Sequence, residues 1–155
     1  MNILQRIVSL FVLIALAPLA HAAGKLGIED AWIRVGPPGV DMLAGYATLK
    51  NSGDAPVSIL TIQSDSFRGG SIHETSIDNG VSRMRRLSLE LAPGDEVKLA
   101  PGGKHLMLTQ PRKAIVAGER LEIVFLLNDG TRVPALFEVL PALADTPPGD
   151  AHQHH

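Results

Sequence analysis

Beyond residue 22, no stretch of this 155-residue chain sustains a helical period; short apolar or alternating runs recur instead, each ended by Gly, Pro, Asn or Asp. A period of two buries one face of a ribbon, whereas a helix needs apolar residues three and four apart, so the pattern confines the chain to strands. Strands are expected over residues 28–35, 44–51, 57–64, 71–74, 83–87, 96–99, 105–108, 120–127 and 132–139. Asn51-Ser52-Gly53-Asp54, Pro93-Gly94-Asp95 and Pro101-Gly102-Gly103 supply the left-handed and proline-fixed positions of tight turns. Asn128-Asp129-Gly130 reads as a hairpin connection. Many short strands in a chain of this length favour an all-β fold of two packed sheets with Greek-key links, a β-sandwich.

The first 22 residues stand apart. Arg6 provides a small positive region, residues 7–19 are almost unbroken apolar, and Ala20-His21-Ala22 has the small-x-small form of a cleavage site. The apolar run is shorter than the ~20 residues that span hydrocarbon, so a cleaved signal peptide (1–22) and export to the periplasm are expected, with no stable membrane insertion afterwards. Residues 23–140 then form one domain, long enough for a proper core. Residues 141–155 hold prolines, alanines and acids with little to bury and read as a tail. The net charge of −2 comes from interspersed signs, which is not the profile of a nucleic-acid binder.

The chain has no cysteine. An exported protein of this kind forgoes disulfides where they would persist, so burial and sheet hydrogen bonding must hold it together. The same absence excludes thiolate zinc sites, Cys-x-x-Cys carriers, thiol redox catalysis and blue-copper electron transfer.

What remains is His and Met. His105 and Met107 are two apart in an expected strand and therefore point the same way, and a second such pair of residue types, His73 and Met84, lies upstream. Two neutral imidazoles and two thioethers make a soft nitrogen and sulfur set that favours Cu(I) over Zn(II) and adds no negative charge. Each residue alone reads equally as packing or surface; convergence of all four would make a site. Such a set holds copper yet yields it to better donors, which is how a carrier behaves, and no motif for an enzyme is present. Glu74 could support an imidazole or lie solvated, Arg83, Arg85 and Arg86 could dock an acidic partner or form a solvated face, and Met42 could add a sulfur or pack. Trp32 and Tyr46 read as core or rim aromatics. His152, His154 and His155 are either a solvated terminus or a second metal-binding cluster.

These residues resemble the periplasmic copper chaperones of the PCuAC type. His73, ten residues, Met84, twenty residues, then His105-Leu106-Met107 follows their His/Met pattern with the second gap one residue shorter. The likeness extends to Ala31-Trp32-Ile33-Arg34, Ala44-Gly45-Tyr46-Ala47-Thr48-Leu49-Lys50-Asn51 and Pro101-Gly102-Gly103-Lys104. The resemblance implies a cupredoxin-like sandwich that binds one Cu(I) through His73, Met84, His105 and Met107. It also implies delivery toward cytochrome c oxidase, to subunit II directly or through a Sco-type thiol protein, with Cu(II) at the tail histidines. Two alternatives stay open: a Cu(II) or zinc buffer centred on the tail, and an interaction sandwich that binds no metal.

Overall fold

The computed structural model describes residues 22–143; the expected signal peptide and the tail histidines lie outside them. Ten strands follow in chain order: β1 (Leu26–Arg34), β2 (Met42–Asn51), β3 (Val57–Gln63), β4 (Phe67–Asp78), β5 (Val81–Leu87), β6 (Leu89–Leu91), β7 (Glu96–Leu99), β8 (Lys104–Pro111), β9 (Arg120–Leu127) and β10 (Arg132–Leu140). The described residues contain no helix.

Hydrogen bonding links the strands in the order β5-β4-β8-β2-β1-β10-β9-β3-β6, with β7 also on β2. All pairings are antiparallel except β1 with β10. One further pairing, Ile62 opposite Gly70, joins β3 to β4, so the sheet closes on itself. The chain is all-β as its pattern requires, but one continuous sheet curls shut where two separate packed sheets were expected. Closure needs a very close approach of the two strands. A Cβ at position 70 would lie 2.7 Å from Ile62 Cγ2, so only glycine fits there without displacing β3.

Ile33, Leu49, Leu106, Leu108, Phe125 and Phe137 fill the interior with no exposed surface. Burying each of these contributes ~1.5–3 kcal/mol, and this is the main stabilising term in a chain without disulfides. Trp32 and Tyr46 stand opposite each other on β1 and β2 with ring centroids 4.5 Å apart, both buried, and the Arg34 guanidinium lies over both rings. They form a cluster apart from the main core. The β9–β10 hairpin turns at Asn128-Asp129-Gly130 as its sequence implies, with Gly130 N–H donating to the Leu127 carbonyl at 3.0 Å.

Several strands run longer than the sequence expectation, and two elements depart from it most. β6 forms a three-residue pairing with β3, and β4 extends over twelve residues where four were expected. The extra length comes from a different partner at each end: Phe67, Gly69 and Gly70 pair with β8, which compensates for the weak strand preference of the two glycines, and Thr75 to Asp78 pair with β5.

Candidate metal centre

β4 runs between β5 and β8, and the register fixes which side chains meet. His73 is directly opposite His105, Ser71 is opposite Met107, and Thr75 is opposite Met84. Opposed residues share a face, as do residues two apart on one strand. Met84, His73, His105 and Met107 therefore stand on one face of three adjacent strands, while Ile72, Leu106 and Leu108 point the other way into the core. The interval between Met84 and His105 holds β6, β7 and their turns, where a change of one residue in length leaves the direct pairing of β5 and β8 with β4 intact.

The two imidazole rings are 6.2 Å apart, centroid to centroid, and tilted by 33°. A metal ~2 Å from a ring nitrogen lies about 3 Å from that ring's centre, so two rings sharing one ion stand roughly 5–6 Å apart. The observed spacing is slightly wider than that range. His105 Nδ1–H donates to the Gly103 carbonyl at 3.0 Å, which leaves Nε2 of the neutral ring with its lone pair free for a ligand. His73 Nε2 lies 3.0 Å from Ser71 Oγ, and its Nδ1 is shut from solvent with no hydrogen-bond partner. A buried nitrogen lacking a partner is costly unless something else occupies its lone pair. Burial, then His105, then Arg86 lower the His73 pKa below its ordinary value, so the ring stays neutral and able to bind metal.

His105 is 8% exposed, His73 and Met107 are half-buried, and Met84 is 55% exposed. The set is thus a shallow one, sealed at its imidazoles and open at one thioether. Among the described residues no three His, Cys, Asp or Glu gather in a way that could hold a metal, so any site on this face depends on sulfur.

Glu74 does not touch an imidazole. It points to the opposite face, where its Oε2 accepts from Arg85 at 2.7 Å and its Oε1 lies 3.2 Å from Lys104 Nζ. Arg85 and Lys104 are its direct partners on β5 and β8, so this carboxylate braces all three strands of the site from behind. The arginine, then the lysine, hold its pKa below the usual carboxylate range. Arg83 shares that rear face, while Arg86 is opposite His73 on the front. Sequence reasoning missed the Asn79-Gly80 turn, with φ of 49° and 78°, that folds β5 back and brings Met84 opposite Thr75. The Asn-Gly pair was the available signal.

The fold sets the chain among all-β domains of which copper-binding PCuAC domains are solved examples. A copper-bound PCuAC domain from PmoF2 is 26% identical, with a TM-score of 0.64 over 78% of this chain and 97% of that one. The apo PmoF2 domain is 27% identical, with a TM-score of 0.65 over 81% of this chain and 97% of that one. Residues 26–139 match the family described as "LpqE-like: Putative lipoprotein LpqE-like", and the chain belongs to that family. Among curated relatives, "Putative lipoprotein Lxx21020" of Leifsonia xyli subsp. xyli is 26% identical over 76% of this chain and 70% of its own length. "Uncharacterized protein RP573" of Rickettsia prowazekii is 34% identical over 57% of this chain and 50% of its own.

Proposed function

We propose that this protein is an exported copper carrier rather than an enzyme, holding one Cu(I) through His73, Met84, His105 and Met107 and passing it on by ligand exchange. One observation carries the reading: two imidazoles directly opposed across β4 and β8, with a thioether on either side, all on one outer face. The partnerless His73 Nδ1 and the oriented His105 ring fit a donor set awaiting a soft ion. The copper-bound PmoF2 domain supports copper as the cargo. The lipoprotein wording of the family and of the Leifsonia relative supports export, which would put the carrier in the periplasm.

Transfer would begin with release of the exposed Met84 thioether, which opens a coordination position for an incoming thiolate, after which the remaining ligands leave stepwise. A thiol-bearing acceptor suits this step because thiolate is the stronger donor for Cu(I). The resemblance points to a Sco-type protein or subunit II of cytochrome c oxidase as the recipient.

Anaerobic Cu(I) titration of the protein lacking residues 1–22, followed by X-ray absorption, tests the reading. One equivalent with both nitrogen and sulfur scattering is expected, and it should persist when residues 150–155 are deleted. Absence of sulfur scattering overturns the carrier, and loss of all binding on tail deletion favours a histidine-based buffer instead.

A further inference from the structure

We infer that Met42 is a handover ligand: a third thioether, on β2, that takes up Cu(I) together with Met107 as the ion leaves Met84 and the imidazoles. The inference rests on the carrier reading and adds a residue and a direction of travel to it.

The register carries the argument. On β8, Thr109 lies opposite Met42 and Met107 lies opposite Ala44, so Met42 and Met107 share the outer face on adjacent strands, one diagonal step apart. Met84 has the same relation to the imidazoles on the other flank, because it is opposite Thr75 and His73 lies two positions N-terminal to Thr75. In both cases a methionine faces the residue two positions C-terminal to a site residue. Diagonal neighbours of this kind are ~7–8 Å apart along the backbone, within reach of side chains as long as methionine. The soft donors thus form a line across four strands: Met84 on β5, His73 on β4, His105 and Met107 on β8, and Met42 on β2.

Burial removes the structural explanation for Met42. It is 55% exposed, the same value as Met84, so neither side chain is a core filler. An apolar, flexible, polarizable side chain held at the surface beside another thioether is a poor use of burial but a good use of sulfur. In the handover the ion moves about 6–7 Å along β8, the repeat of one residue pair. One Cu–S bond to Met42 forms as the bond to Met84 breaks, and the two Cu–N bonds then break in turn, leaving two-coordinate Cu(I) on Met42 and Met107 for the acceptor thiolate to complete. Copper stays Cu(I), and no proton moves because a thioether carries none.

The test uses protein lacking residues 1–22, labelled with 13C at the methionine methyls, and anaerobic Cu(I) as the probe. In the unsubstituted protein the Met84 and Met107 methyls should shift at one equivalent. In Met84→Leu, which removes the opposite flank, the Met42 methyl should shift at the first equivalent. Adding Met42→Leu to that variant should weaken Cu(I) binding at least ~10-fold more than Met42→Leu weakens it in the unsubstituted protein, a coupling expected of residues that share a ligand. A silent Met42 methyl in Met84→Leu, with the double variant binding no more weakly than the single, overturns the handover and leaves the carrier standing. If no methyl shifts in the unsubstituted protein, the carrier reading falls and the handover with it.

Discussion

Asn51 and His73 are both polar residues drawn into the body of the protein, and they are treated in opposite ways. At the far end of β2, Asn51 is 1% exposed and every polar atom of its side chain is used: Oδ1 accepts from Lys25 N–H and Gly53 N–H, and Nδ2 donates to the Ala55 and Leu91 carbonyls. Its backbone is also paired, with Asp95 and Gly94. On β4, His73 has one nitrogen beside Ser71 and another sealed away with nothing to bond. The first residue spends its polarity on holding three chain segments together. The second leaves a buried ring nitrogen without a partner, and that difference marks a candidate site apart from a scaffold when both are built of buried polar groups.

Exchanging the two roles gives the sharpest way to break this contrast. Asn51→Ala takes the partner from two N–H groups and two carbonyls, the Leu91 carbonyl among them buried, and should lower the unfolding free energy by ~2–4 kcal/mol, read by urea denaturation with the single tryptophan as reporter. His73→Leu gives up one contact with Ser71 but also removes a buried nitrogen that already lacks a partner, so stability should change by less than ~1 kcal/mol while Cu(I) affinity drops by ~100-fold or more. Equal stability losses in the two variants would erase the distinction. Glu74→Gln tests the brace behind the site: the strands stay paired, but the carboxylate tie to Arg85 and Lys104 weakens. Cu(I) affinity should fall by up to ~10-fold in competition with a Cu(I)-selective chelator, with no change in the ligand set seen by X-ray absorption.

The smallest expected effect is the pH dependence of the metal-free protein. The folded pKa of His73 is lowered, so as acid is added the unfolded chain takes up this proton before the folded one does. Its contribution to stability is therefore complete above the ordinary histidine value of 6.5 and is lost as pH falls from there through the folded value. Urea midpoints measured on either side of pH 6.5 should converge in His73→Leu relative to the parent; identical slopes would show that His73 is not shielded.

The spacing of His73, Met84, His105 and Met107 was legible because strand alternation is a local rule and all four lie on strands. The convergence of those strands was not, since it depends on β4 pairing with both β5 and β8, and neither pairing leaves a mark in the composition of β4 itself. The polar run Thr75-Ser76-Ile77-Asp78 looks like a loop because no core demands it; cross-strand hydrogen bonds make it strand. Gly70 reads as a strand breaker for the same reason, although its missing side chain is what lets β3 reach β4. The sequence leaves Met42 open between packing and sulfur donor, and its exposure removes the first reading.

β5 has a single neighbour, whereas β4 and β8 are each flanked on two sides. One wall of the cage therefore hangs on a two-stranded flap that can fray from its tip at Asn79-Gly80 without disturbing the strands that carry the imidazoles. On the carrier reading, a cargo gripped this way would be unlatched by peeling rather than by unfolding, and the pairing strength of one hairpin, tunable by substitutions that never touch the metal, would be the dial that sets how long the ion stays aboard.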